Sequence, residues 1–283
     1  MTPWAVADVP CHTGEGPLWH PERQILYWTD IPSGALFAYS PELSVHQRVY
    51  EGPPVGGMTL QEDGSLLLFR ARGNVAIWRD GAETTVLESI PAEEGSRFND
   101  VIADPEGRVF AGTMSTGDAP GRLYRFDLDG SYRVVLEGVL CSNGMGFTPD
   151  RKGMYHIDTP TQRIDLFDYD RATGEIDLRR TFVEVPKARG FPDGMTVDAD
   201  GNVWVAFWDG YALSRYSPEG VETLRIDFPV RKVSSLTLVG NDLYATTAGG
   251  DDREANGSLA GSLFHLQIEG AGGVPEFRSR IQS

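Results

Sequence analysis

The chain has 283 residues, 40% of them hydrophobic, and its 41 acidic against 25 basic side chains give a formal net charge of −16. That length accommodates one large all-β domain or two small ones, and that composition supports a packed core and excludes disorder. The charge excludes nucleic acid as a partner and disfavours an anionic membrane surface; it serves solubility and could favour a metal cation.

The first residues, WAVADVP from Trp4, precede a series of repeats. Six segments share one pattern, starting at Gly14, Gly56, Phe98, Ser142, Pro192 and Val233. Each has a short apolar strand, a turn rich in Asp, Glu, Pro or Gly, an apolar-aromatic strand, a gap and a third strand. The second strand is the clearest: ILYWTDI, SLLLFRA, RVFAGTM, GMYHIDT, NVWVAFW and DLYATTA in chain order. Strands apolar on nearly every residue are buried on both faces. The turns before them, QEDG, DPEG, TPDRKG and DADG, suit tight hairpins with left-handed residues. No stretch shows a sustained helical period with caps. The longest irregular insert, Gly249–Ala260, is expected as a loop over one end of a channel, without calcium-loop spacing. EFRSRIQS closes the chain. One terminal segment, WAVADVP in the first instance, is expected to pair into the last repeat and cover its sheet edge.

Repeats of this size with several strands each predict an all-β, six-bladed β-propeller of four-stranded blades around a central metal-binding channel, one domain over residues 1–283. Aligned on the pattern, one position recurs as Glu15, Gly56, Asn99, Asn143, Asp193 and Ser234, at intervals of 41, 43, 44, 50 and 41 residues. Equivalent positions of a propeller lie on a ring around its axis, so four oxygen-bearing side chains converge. Glu15, Asn143 and Asp193 are each followed by Gly, which permits φ > 0 or close backbone approach. Asn-Gly and Asp-Gly are also ordinary turn pairs, so the argument rests on their shared register. Two carboxylates and one amide oxygen balance a divalent cation and leave positions for water or substrate. All-oxygen ligation suits Ca²⁺ first, then Mg²⁺ or Mn²⁺, and admits Zn²⁺ or Fe²⁺.

GEGPLWHPERQILYWTDI, RFNDVIADPEGRVFAGTM, SNGMGFTPD and PDGMTVDADGNVWVAFW, in this order and spacing, resemble the SMP-30/gluconolactonase/LRE family of six-bladed propellers. The resemblance covers essentially the whole chain. It implies hydrolysis of sugar lactones with one divalent metal in the channel. It implies Glu15, Asn143 and Asp193 as metal ligands, and Arg97 and Asn99 as substrate contacts. The family's Asp after that Asn matches Asp100. Two segments depart from the family pattern. Ser115, Thr116 and Gly117 stand where some members carry an acidic pair, and LVGNDLYATT replaces an FGG-type segment. Both changes bear on which lactone is taken.

For lactone hydrolysis a base must deprotonate water, with Asp193 the first candidate and Asp100 the second; the cation could instead lower the pKa of the water itself. Arg97 either meets substrate hydroxyls or carbonyl, or forms an ion pair with Glu93 or Glu94. Trp208 and Tyr211 either line the mouth or pack within their blade. Asp30 and Asp158 end second strands, where strand-end hydrogen bonding is expected. The histidines show no metal spacing, His12 and His20 beside Glu15 are read as structural, and no nucleophile elbow or dinucleotide fingerprint appears. The alternatives are a phosphotriesterase-like or aryl-ester hydrolase on the same ring, or a non-catalytic calcium-binding propeller. Cys11 and Cys141 make no disulfide framework. No signal peptide or bilayer-spanning run is visible, and the Asn256-Gly257-Ser258 sequon is taken as chance. The expected setting is the cytoplasm, the expected partner a small sugar lactone, with neither nucleic acid nor membrane, and the expected state a monomer or weak oligomer.

Overall fold

The computed structural model describes residues 1–282. Its described residues form six four-stranded sheets arranged as a six-bladed β-propeller. Blades 1 to 5 are contiguous, spanning 14–51, 55–87, 98–139, 142–184 and 191–227. Blade 6 takes three strands from 233–267 and its outermost strand, Trp4–Ala7, from the other end of the chain. Trp4 pairs antiparallel with His265 and Ala7 with Leu263. WAVADVP therefore closes the ring, covering the edge that strand Leu263–Gln267 would otherwise expose.

The inner strands start at Gly14, Val55, Phe98, Ser142, Phe191 and Val233, each within one residue of its sequence-derived start. The second strands are buried nearly throughout, because each faces a neighbouring blade on both sides. Six apolar clusters result, one in every interface between adjacent blades. Trp28 and Trp204 are fully buried in two of them. The hairpin turns behave as their residues predict, with Gly64, Gly107 and Gly201 at φ of 82°, 89° and 83°.

Inner strands begin at one end of the channel, and second strands return to it. The 249–260 insert, which follows the second strand of blade 6, therefore lies at the end where the ring residues sit. It contains a four-residue helix, Arg253–Asn256, that the sequence pattern did not indicate. The cause is local: Asp252 Oδ1 accepts from the Ala255 N–H at 3.0 Å and caps it.

The far end of the channel is covered by the last segment of the chain, which touches every blade. Gly272 O accepts from Ala199 N (2.9 Å) and Gly273 N donates to Gly240 O (2.9 Å). Ser279 N donates to Leu60 O (2.9 Å), and Arg280 N to Gly107 O (2.8 Å). Phe277 packs edge-on against Phe147, and Arg278 pairs with Glu22. Between this strap and the ring lies a cavity of ≈ 410 Å³, walled by residues such as Leu18, Met58, Met145, Met195 and Phe277. Asp100 and Glu276 also line it.

Candidate active site

Six positions share the ring register, and the backbone decides which of them can offer a ligand. At Gly56 a Cβ would fall 1.9 Å from the Phe98 carbonyl oxygen, so blade 2 can present nothing there. Ser234 turns its hydroxyl away, donating to Gly14 O at 2.5 Å. Glu15, Asn99, Asn143 and Asp193 remain, all buried. The glycines after the ligand candidates serve two purposes. Gly16 has φ of 55°. A Cβ on Gly194 would lie 2.2 Å from Ser235 Oγ, so blades 5 and 6 meet there only because it is glycine.

A directed chain of hydrogen bonds fixes the amides. Arg97 Nη1 donates to Asn99 Oδ1 (2.6 Å) and to Phe98 O (2.9 Å). Asn99 Nδ2 donates to Asn143 Oδ1 (2.6 Å) and to Ser142 O (2.8 Å). Asn143 Nδ2 donates to Thr159 Oγ1 (2.7 Å), which donates to Pro192 O (2.7 Å). A guanidinium can only donate and a carbonyl can only accept, so the two ends set the orientation of every group between them. Asn143 keeps one lone pair on Oδ1 for a further partner.

The carboxylates are different. Asp193 accepts no hydrogen bond among the described residues, and Glu15 accepts one long bond, from Gly16 N at 3.3 Å. Burial pushes the Glu15 carboxyl well above the usual carboxylate range; Asp193 and then Asp100 add to this, while the Gly16 N–H and Arg97 oppose it. Burial raises Asp193 likewise, with Asp100 adding and Arg97 and Lys232 opposing. Asp100 is pushed up to about 7 by burial, against the pull of Arg97. Buried carboxylates are normally paired, yet Glu15 and Asp193 form no ion pair among the described residues. No three His, Cys, Asp or Glu side chains gather at one point among the described residues. Beside the Glu15 and Asp193 carboxyls, the oriented Asn143 Oδ1 is a side-chain oxygen left with a free lone pair in the same ring. The residues fit a hard divalent cation.

Asp100 occupies the position after the ring, where blades 1, 2, 4 and 5 have Gly. It opens on the cavity beneath, whereas the ring residues do not line that cavity. Arg97 forms no ion pair among the described residues. Glu93 is taken by Arg122 (2.9 Å) and Tyr124, and Glu94 pairs with Arg72. Its remaining N–H groups make no hydrogen bond among the described residues, and burial lowers its pKa. Asp158 accepts from Cys141 N (2.9 Å) and Asp30 from Thr13 N (2.8 Å), so both are strand-end groups. His12 is exposed beside Asp251, and His20 bonds Gly64 O (3.1 Å). Cys141 is a free thiol, pushed up to about 12 by burial. The segment after AGTM turns on itself, with Thr116 Oγ1 accepting from Ala119 N.

At the mouth, Phe191 pairs with Trp208 across two strands of blade 5. Phe191 is 41% exposed and Tyr211 47%. Lys232 Nζ lies 4.4 Å from the Trp208 ring centroid. Thr159, Lys232 and the strap residue Glu276 were not singled out from sequence.

Six blades around a channel strapped shut at one end, with two unpartnered carboxyls and an oriented amide at the other, define a β-propeller whose site lies at the channel mouth. The family model described as "SMP-30/Gluconolactonase/LRE-like region" matches residues 13–249. The chain belongs to that family. It is 45% identical to pentonolactonase XacC of Haloferax volcanii, over 100% of this chain and 99% of that one. It is 32% identical to regucalcin of Bos taurus, over 94% of each. Among solved structures it is similar to a luciferin-regenerating enzyme at a TM-score of 0.90 and 26% identity, covering 99% of both chains. No helix among the described residues is long and apolar enough to cross a membrane.

Proposed function

We propose that this protein is a sugar lactonase that opens aldonolactones to aldonic acids with a divalent cation held by Glu15, Asn143 and Asp193. The observation that carries the metal site is the pair of buried carboxyls left without donors beside an amide oxygen held in place by Arg97, Asn99 and Thr159. The names of the relatives support the reaction, and pentonolactonase at 45% identity makes five-carbon lactones the first substrates to try. Calcium is the first cation to try.

A bound cation supplies Lewis-acid polarisation of the lactone carbonyl. Arg97 donates to substrate hydroxyls or to the ring oxygen through its free N–H groups, and Asn99 holds both Arg97 and Asn143 in position. Asp193 takes a proton from the attacking water, and Asp100 is the second acceptor. Water oxygen bonds to the carbonyl carbon, the ring acyl–oxygen bond breaks, and the freed hydroxyl takes up a proton. The new acid leaves as its anion, with one proton released at neutral pH.

The test is hydrolysis of a panel of aldonolactones, followed by pH indicator, on protein stripped with chelator and resupplied with Ca²⁺, Mg²⁺, Mn²⁺, Zn²⁺ or Fe²⁺. Activity should vanish with chelator, return with one metal, and be lost in Asp193→Ala. Full turnover in that variant would remove the catalytic assignment. The exposed aromatics Phe191 and Tyr211 favour a second reading, an aryl-ester or phosphotriester hydrolase. Phenyl acetate and paraoxon in the same panel separate the two.

A further inference from the structure

A second ring stands one step above the first. Two residues before each ring position, the inner strands or their leading residues carry Thr13, Pro54, Arg97, Cys141, Phe191 and Lys232. Positions two apart along a strand share a face, although in blade 6 a bulge falls at Ser234 and Lys232 stands just before the strand. Contacts bear this out in two blades, where Arg97 bonds Asn99 and Cys141 Sγ accepts from Asn143 Nδ2 (3.7 Å). This upper ring holds two cations and no acid. They come from blades 3 and 6, which face each other across a six-bladed ring.

Lys232 is held as a fixed charge. Its side chain is 14% exposed, and its Nζ donates to Asp209 Oδ1 at 2.6 Å. Trp208 lies under the ammonium. Arg231 Nε approaches the same Asp209 oxygen at 2.9 Å, so two cations share one carboxylate and the group keeps one net positive charge. Of the three acids on the nearby insert, all exposed, Asp251 pairs with His12, Asp252 caps the Arg253–Asn256 helix, and Glu254 forms no ion pair among the described residues. Arg97 has no carboxylate partner among the described residues. In a chain of net charge −16, two cations from opposite blades stand at the channel mouth, Arg97 without a carboxylate partner and Lys232 sharing one carboxylate with Arg231, and together they make a local receptor for an anion.

We propose that Lys232, opposite Arg97, is a specificity-determining residue that receives the carboxylate of the open-chain sugar acid, the product of the reaction. This rests on the lactonase reading. The lactone enters neutral and the product leaves with one negative charge, so a mouth of this polarity holds product more tightly than substrate. The enzyme is therefore inhibited by its own aldonate, and Lys232 sets how strongly.

The experiment uses calorimetry on the calcium-loaded protein with two ligands of nearly equal shape, D-gluconate and the uncharged D-gluconamide. The wild type should prefer gluconate by about tenfold or more, the scale of a charge-assisted hydrogen bond. Lys232→Met should lose most of that preference, and Lys232→Arg should keep it. Asp209→Asn, which removes the shared counter-charge, should strengthen it severalfold. In kinetics, the ratio of the gluconate inhibition constant to the lactone KM should rise about tenfold in Lys232→Met. An unchanged preference in Lys232→Met, or equal weakening of both ligands, would overturn the proposal. Should that variant not fold, a preference left unchanged or reduced in Asp209→Asn overturns it instead. Failure of the lactonase reading shows separately, as a wild type that turns over no lactone while still preferring the anion.

Discussion

Thr159 passes a hydrogen bond from the Asn143 amide to the Pro192 carbonyl, tying blade 4 to blade 5 just beside Asp193. Thr159→Val keeps the shape and removes both bonds. Partners that orient a metal ligand typically matter about 10- to 100-fold in metal affinity. Calcium affinity, measured by calorimetry, should fall by about that factor; an unchanged affinity would mean that Asn143 needs no such support. A second expectation follows from the raised carboxyls. Glu15, Asp193 and Asp100 all hold protons more strongly than free carboxylates, Asp100 with a pKa of about 7. A cation displaces those protons. Calcium binding should release protons near pH 6.5, and affinity should rise with pH as the carboxyls ionise. Binding enthalpies in phosphate and in Tris differ in proportion to the protons released, and equal enthalpies would contradict the expectation. The ligand candidates Glu15, Asn143 and Asp193 were legible in the sequence because a repeat makes register visible. Thr159 and Lys232 were not, since their roles depend on contacts with the next blade and on a ring two residues away from the one aligned.

Among the elements, the strap at 272–282 carries a group at odds with its surroundings. Glu276 lines the cavity beneath the strap, half-buried, and desolvation there pushes its carboxyl up to about 7. A carboxyl whose pKa is raised in the folded state is more protonated there than in the unfolded chain. Stability is therefore greatest below the unfolded value and declines as pH climbs toward the folded one. From pH 4.5 to 7 the wild type should lose on the order of 2–3 kcal/mol through this group. Glu276→Gln should not. Urea midpoints of both proteins at pH 5 and pH 8 measure it; the same difference between them at both pH values would sink the idea. Strands and turns were legible here because apolar second strands and Asp-Gly turns are local signals. The strap was not, because EFRSRIQS has no periodicity of its own and takes its course from the six blades it crosses. The four-residue helix at Arg253 escaped for a similar reason: one capping Asp decides it.

At the scale of the whole molecule, the ring is a closed cycle of six interfaces, each with its own apolar cluster. Opening any one of them exposes two faces. Removing residues 1–7 takes away the outermost strand of blade 6 and with it Ala7, which packs in the interface between blades 6 and 1. Strand Leu263–Gln267 would then become a bare edge, a template for pairing with other chains. The truncated protein should melt at a lower temperature and elute with a larger, concentration-dependent size. A monomer of unchanged melting temperature would show that closure matters little. The propeller itself was legible because the repeat length and the count of strands agree; the closing strand was legible because a sheet edge needs a partner and one apolar segment was left over.

Because the sixth blade is assembled from both ends of the chain, a ribosome delivers its parts in the least convenient order. Strand Trp4–Ala7 emerges first, and its partner Leu263–Gln267 emerges almost last. Until then the nascent chain is an arc, not a ring, with apolar flanks open on its first and latest blades. Contacts this distant in sequence form slowly. A message cut short anywhere before the last blade yields an unclosed arc, and such a product is a client for chaperones and proteases rather than a smaller enzyme. Closure thus works as a proofreading step on translation, passed only once strand Leu263–Gln267 has been made.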